Sequence, residues 1–212
     1  MKLIIFDCDS TLSAIEGIDE LARVHGDSTF TEIENLTNAA MNGEVAIDEI
    51  FARRLDIIKP DAAAVDSVGK LYIEHIEPTA VETMSTLRND GWHIVIVSGG
   101  FTQVIEPLAN HLGIDRIEAV PLKFTNDGLY AGFDTDAPPT RNGGKPEIVN
   151  SLKEEYQPSK TVMVGDGISD LETQSVVDTF IGFGRYAKRE KVVAEANHFV
   201  NSLDEIPSLI NN

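Results

Sequence analysis

The stretch Leu3-Ile4-Ile5-Phe6-Asp7-Cys8-Asp9-Ser10-Thr11 carries most of the weight in reading this chain. Its first four residues are an unbroken apolar run of strand length, as expected for a strand buried on both faces of a parallel sheet. The run ends on two aspartates two residues apart. Open α/β sheets gather their ligands outside the carboxyl ends of their strands. Two carboxylates there, pointing to the same side if strand geometry persists, can hold a hard cation or divide nucleophile and proton-transfer roles. A turn carrying two solvated acids has the same local sequence, so the rest of the chain must decide.

Working outward, four more apolar runs read as strands, at residues 93–97, 118–124, 161–164 and 180–183. Helical patterns separate them. One covers 80–89, ahead of an Asp90-Gly91 turn. A second covers 102–112 and closes on Gly113. A third covers 147–156, with Pro146 suited to a first helical position. This alternation predicts an α/β fold with a Rossmann-like, doubly wound parallel sheet. Two segments interrupt it. Residues 122–133 set Asn126-Asp127-Gly128 between apolar stretches, a hairpin pattern. Residues 13–77 hold several helical patterns in series, show no strand signal and stop at Pro78. The expected organisation is a core of residues 1–12 and 78–212 with a helical cap domain, 13–77, inserted after the first strand.

Composition narrows the partners. Seventeen basic residues face 35 acidic ones among 212, a formal net charge of −18. Such a chain repels nucleic acid and anionic membrane at long range, and neither is expected as a partner. An anionic substrate would need locally fixed positive charge. The one cysteine, Cys8, excludes an intrachain disulfide and fits a reducing compartment. The N-terminal apolar run is too short for a signal peptide, and no run approaches the roughly 20 apolar residues of a membrane span. A cytoplasmic location is expected.

Three further motifs stand at strand ends or loops. Val97-Ser98-Gly99-Gly100-Phe101 offers a hydroxyl and glycine amides at a helix start, where an anion is favoured. Gly143-Gly144-Lys145-Pro146 places a point positive charge at another helix mouth. Gly165-Asp166-Gly167-Ile168-Ser169-Asp170 brings two more carboxylates to a strand end. Together they fit one reaction, attack of a carboxylate on a phosphomonoester. Like charges about 4 Å apart repel by roughly 1 kcal/mol in water and about 4 kcal/mol near a protein surface. A Mg²⁺ ion held by Asp7, Asp9 and Asp166, together with Lys145, would offset that repulsion. Ser98 and the amides around Gly99 and Gly100 would hold the remaining phosphate oxygens.

These four motifs, in this order, resemble the haloacid dehalogenase superfamily of phosphatases. The likeness is closest to the branch that hydrolyses a phosphorylated amino acid. It runs nearly end to end, through Glu16-Gly-Ile-Asp-Glu-Leu-Ala22, Met41-Asn-Gly43, Arg54-Leu55, Tyr130-Ala-Gly-Phe-Asp134 and Phe180-Ile-Gly-Phe-Gly184. The resemblance implies that Asp7 is the nucleophile and becomes an aspartyl phosphate. It implies that Asp9 protonates the leaving oxygen and then activates water, touching the metal through its backbone carbonyl. Asp7 and Asp166 would bind Mg²⁺, with Asp170 in support, and Ser98, Gly99 and Lys145 would hold phosphate. Glu16 would meet a substrate amino group, Arg54 its carboxylate, and Met41 would line the pocket. The implied activity is hydrolysis of O-phospho-L-serine to L-serine and phosphate by a monomer or homodimer. The alternative is the same chemistry on another small phosphomonoester such as phosphothreonine, or transfer to an alcohol.

Arg54 also stands out without the resemblance. Its helical neighbours Ile50, Phe51, Ile57 and Ile58 are all apolar. An arginine in an apolar stripe needs an anionic partner or must reach water. Arg53, with Glu49 one turn back, reads as surface. Three positions depart from the family pattern: Cys8 between the aspartates, Ile47 in the pocket and Ser169 in the last motif. Arg189 matches an arginine that reaches substrate in close relatives. A signalling receiver domain also carries a phosphorylatable aspartate and Mg²⁺, but it lacks a helical insertion after its first strand. Asp9 also argues for turnover.

Overall fold

The computed structural model describes residues 1–211. Its main sheet has six strands, all paired in parallel, in the order β3-β2-β1-β6-β7-β8. These are β1 (Lys2–Phe6), β2 (Trp92–Phe101), β3 (Arg116–Val120), β6 (Lys160–Gly165), β7 (Thr179–Phe183) and β8 (His198–Val200). A separate antiparallel hairpin joins β4 (Leu122–Phe124) to β5 (Tyr130–Phe133). The helices are α1 (Gly17–Arg23), α2 (Asp27–Met41), α3 (Ile47–Ile58), α4 (Ala62–Glu74), α5 (Ala80–Asn89), α6 (Thr102–Leu112), α7 (Gly144–Tyr156), α8 (Ile168–Leu171), α9 (Glu190–Glu195) and α10 (Ile206–Ile210). None of the described helices is long and apolar enough to cross a membrane.

Strand alternation divides the core between two faces. Ile4 and Phe6 of β1, Ile94 and Ile96 of β2, and Val162 and Val164 of β6 belong to the larger apolar cluster. Leu3, Ile5, Val95, Val97 and Met163 belong to the smaller one. Helices α5, α6 and α10 cover the first face, and α7 and α9 the second. Burial on both sides explains why these strands read as continuous apolar runs. The larger cluster runs on without a break into α1–α4, through Leu21, Ile33, Phe51, Leu55, Val65 and Tyr72. Ser13 and Ile76 form a bridge that ties the two ends of this helical insertion together.

The sheet order places a topological switch between β1 and β6. The register is level there: Phe6 pairs with both Ile96 and Val164. The residues just past these three positions therefore emerge side by side, Asp7 from β1, Ser98 from β2 and Asp166 after β6. Strand geometry does not persist to Asp9. Thr11, Leu12 and Ser13 all donate to the Cys8 carbonyl, and Ser10 adopts a left-handed backbone (φ 51°).

Three sequence expectations are corrected. The run 118–124 is two strands, because Pro121 has no N–H to donate and the chain leaves the main sheet there. The short edge strand β8 escaped the reading, because His198 is exposed and Phe199 only partly buried, which leaves no apolar run. Helix α7 begins at Gly144, so Pro146 occupies its third position rather than its first. Gly144 seats that helix against the Pro138–Thr140 turn, where an added Cβ would overlap the Pro138 carbonyl. Gly144→Ala is expected to destabilise the fold by about 2 kcal/mol or more, as a backbone clash cannot relax through a side chain. A lower urea midpoint at unchanged slope would report this.

Candidate active site

Lys145, in the first turn of α7, is a buried cation at the ends of β1 and β6. Its Nζ donates to Asp170 Oδ1 at 2.6 Å and lies 2.9 Å from Asp7 Oδ1, an ion-pair contact outside hydrogen-bond alignment. Asp170 Oδ2 also accepts from the Gly167 amide at 3.0 Å. Asp7, Asp166 and Asp170 are all buried, and each offers an oxygen within 4.8 Å of the others. Burial first, then the charge of Asp7, pushes Asp170 up to about 8. Burial likewise raises Asp166 to about 6, against the opposing pull of Arg189. Desolvated carboxylates this close need a cation to stay ionised. An all-oxygen set of this kind fits a hard divalent ion.

The Asp9 carboxylate is not in that group. Its Oδ1 accepts from the Gly17 amide at 2.7 Å and from the Tyr72 hydroxyl. Its Oδ2 accepts from Ser98 Oγ at 3.3 Å. Burial and then Asp7 raise its pKa, while Tyr72 and Gly17 oppose the rise. Ser98 Oγ in turn accepts from the Gly100 amide at 3.0 Å. A Cβ on Gly100 would stand 2.5 Å from Asp9 Oδ2, so only glycine brings this loop so close.

One pocket collects Asp7, Asp9, Glu16, Met41, Arg54, Ser98, Gly99, Gly100, Lys145 and Ser169. Asp166 and Asp170 are buried and absent from its lining. In the same lining Glu16 accepts from Ser10 Oγ at 2.6 Å, and burial, then the charges of Asp9 and Asp166, raise its pKa well above the usual glutamate value. Arg54 is 4% exposed. Its Nη1 donates to Thr37 Oγ1 at 3.0 Å, and Thr37 donates to Asp19 Oδ1 at 2.7 Å. Arg54 Nε is buried with no hydrogen-bond partner among the described residues. The apolar stripe thus holds Arg54 through a relayed contact to Asp19. Arg53 is exposed and pairs with Glu32, at 3.3 Å, rather than with Glu49.

Several residues here escaped the sequence reading. Thr37, Phe51 and Arg141 line the pocket, and Asp19 and Tyr72 support it from behind. Tyr72 follows Val65, Val68 and Gly69 at helical spacing and reads as plain core. Asp19 lies in a first helical turn, where an acid is expected for dipole reasons alone. Arg189 does not line the pocket. Its Nε donates to Asp166 Oδ2 and its Nη1 to Asn42 Oδ1, each at 3.1 Å, so it ties the carboxylate group to the helical insertion.

Comparison with known proteins gives a consistent picture. A family model described as haloacid dehalogenase-like hydrolase matches residues 1–173. The phosphoserine phosphatase of Bos taurus is 35% identical over 205 residues, covering 96% of this chain and 90% of its own length. A phosphoserine phosphohydrolase-like protein from Francisella tularensis superposes with a TM-score of 0.91 at 27% identity, covering 99% of this chain and 100% of its own. A structure titled as a phospho-aspartyl intermediate analogue of phosphoserine phosphatase superposes with a TM-score of 0.87 at 30% identity, covering 99% and 98%.

The Asp19–Thr37–Arg54 relay has a pH signature. Burial, the largest influence, pushes Asp19 up to about 6, and the Thr37 bond and Arg54 only partly counter it. A carboxyl that is harder to ionise when folded than unfolded contributes stability below its unfolded pKa of about 4 and loses it as pH rises through 6. The swing is on the order of 2–3 kcal/mol. Asp19→Asn should remove it, so unfolding free energies of parent and variant should diverge between pH 4 and 7. Parallel curves would count against the relay.

Proposed function

The chain belongs to the haloacid dehalogenase-like hydrolase family, and we propose that it hydrolyses O-phospho-L-serine to L-serine and phosphate through an aspartyl phosphate on Asp7. That it is a phosphomonoester hydrolase follows from the family and from its phosphoserine phosphatase relatives. The observation that supports the substrate is a single pocket whose lining combines two chemistries. Asp7, Ser98 and Lys145 suit a phosphoryl group. Among the described residues, Glu16 is bonded to a hydroxyl rather than to a cation, and Arg54 keeps a buried Nε without a hydrogen-bond partner. An amino acid supplies the ammonium for Glu16 and the carboxylate for Arg54, and its phosphorylated side chain reaches back to Asp7.

The chemistry then runs as two displacements. An Asp7 oxygen attacks phosphorus, the bond from phosphorus to the serine oxygen breaks, and the Asp9 carboxyl gives its proton to that leaving oxygen. Water attacks the aspartyl phosphate next. Asp9 takes a proton from this water, the bond from phosphorus to Asp7 breaks, and both acids return to their starting states. Lys145 neutralises charge beside Asp7 throughout, and Ser98 with the Gly99 and Gly100 amides holds the phosphoryl oxygens. Met41, Ile47 and Ser169 shape the pocket around the serine side chain. Asp7 and Asp166, supported by Asp170 and by the Asp9 carbonyl, would hold the family's divalent cation, which we take to be Mg²⁺. That ion supplies positive charge that lets a dianion approach a carboxylate. Residues 13–77 act as the cap, since Glu16, Met41 and Arg54 all come from them.

Phosphate release from O-phospho-L-serine in Mg²⁺, lost in EDTA and restored by added Mg²⁺, is the direct test. Asp7→Asn should abolish turnover with an unchanged melting temperature. Substantial residual kcat would remove Asp7 as nucleophile. Arg54→Ala should raise KM for phosphoserine by roughly 10-fold or more, the worth of a charge-assisted hydrogen bond. For p-nitrophenyl phosphate, which has no carboxylate, KM should barely move. Equal effects on both substrates would make Arg54 structural.

A further inference from the structure

Tyr72 has no part in the reaction described above, yet its hydroxyl touches the acid–base carboxylate. It lies in the last turn of α4, fully buried, and donates to Asp9 Oδ1. A buried phenol O–H needs an acceptor, and among the described residues Asp9 supplies it. The same oxygen accepts the Gly17 amide at 2.7 Å. The two donors can share it because residue 17 is glycine: an added Cβ would overlap the Tyr72 hydroxyl.

The other oxygen, Oδ2, has a different environment. It faces Ser98 Oγ at 3.3 Å and the Gly100 backbone. An aspartate side chain rotates over a broad, two-fold torsional surface. Left free, it would present either oxygen to the reacting centre. We propose that Tyr72 is a positioning residue for this carboxylate. With the Gly17 amide it engages Oδ1, so that Oδ2 alone faces the phosphate loop and carries the proton. The phenol proton stays on Tyr72 throughout. Oδ2 gives its proton to the serine oxygen in the first step and takes one from water in the second.

The anchor is rigid. Helix α4 approaches α6 closely at Gly69, where a Cβ would come within 3.1 Å of Pro107 Cγ and 3.3 Å of the Val104 carbonyl oxygen. The Tyr72 carbonyl also accepts from Ser13 Oγ at 3.3 Å, at the start of the insertion. The tyrosine is thus fixed to a helix that packs against α6, which itself lies on the sheet, and through it the insertion sets the orientation of an acid that belongs to the core.

The inference rests on the acid–base role proposed for Asp9, and the experiment separates the two. Tyr72→Phe keeps the ring and removes the hydroxyl. For phosphoserine, single-turnover release of serine should slow by about 10- to 100-fold, the scale of a misplaced catalytic group, with KM within about 2-fold. For p-nitrophenyl phosphate, whose leaving group needs no proton, the first-turnover burst should keep its rate. An equal loss on both substrates, or no loss with phosphoserine, overturns the positioning role. Asp9→Asn is run in parallel. If it slows serine release and Tyr72→Phe does not, only the inference fails. If Asp9→Asn has no effect, the acid–base reading fails and the inference with it. Should Tyr72→Phe not fold, proton NMR of the tyrosine-labelled parent enzyme decides. One slowly exchanging hydroxyl proton is expected among its four tyrosines; a spectrum without one overturns the contact.

Discussion

Lys145 stands between two carboxylates, 2.9 Å from Asp7 and 2.6 Å from Asp170, at a place where burial works against the ionised forms of Asp9, Asp166 and Asp170 alike. Gathering acids out of water costs several kcal/mol each unless positive charge is fixed beside them. Much of the surrounding architecture supplies that charge. The Gly143-Gly144 turn lets α7 start close enough to deliver the lysine. Arg189 reaches Asp166, and the Gly167 amide reaches Asp170. The carboxylates so gathered, Asp7, Asp166 and Asp170, are the ones that would hold the family's divalent cation.

The same economy of charge explains a chain at −18 that acts on an anion. Long-range steering is unfavourable, so affinity must come from a few desolvated contacts, where Coulomb attraction is strongest. Lys145 and Arg54 are both almost fully buried. Both line the pocket, and the acidic surface is screened from them by solvent and salt. Arg54 keeps its place because Asp19, relayed through Thr37, offsets part of its desolvation while its Nε stays open.

The apolar cluster that covers one sheet face and continues into α1–α4 gives these contacts their geometry. Because that packing is continuous, side chains of the helical insertion and of the strand ends meet at fixed distances. Gly17 and Tyr72 reach Asp9, and Asn42 reaches Arg189. The amide of Ile47 donates to Asn142 Oδ1 at 2.8 Å, a further tie across the same boundary.

Read alone, the sequence determined the alternation of strands and helices, the insertion after β1, and the acids, serine and lysine at the strand ends. Each of these is written locally, in an apolar run of strand length or a glycine next to a charge. The stretch from Leu3 to Thr11 was sufficient to put Asp7 at the end of a strand, because a strand's end is a local event; its chemistry was read only with the other three motifs. The tertiary structure decided what depends on register and on contacts between distant segments. Level pairing of Phe6 with Ile96 and Val164 brings Asp7, Ser98 and Asp166 together. The turn after Cys8 takes the Asp9 carboxylate out of the carboxylate group and gives it to the insertion. Tyr72 and Asp19 were illegible for the same reason. A tyrosine on an apolar helical stripe and an acid in a first helical turn have ordinary local explanations, and only the partner across 63 residues, or across 18, gives them another.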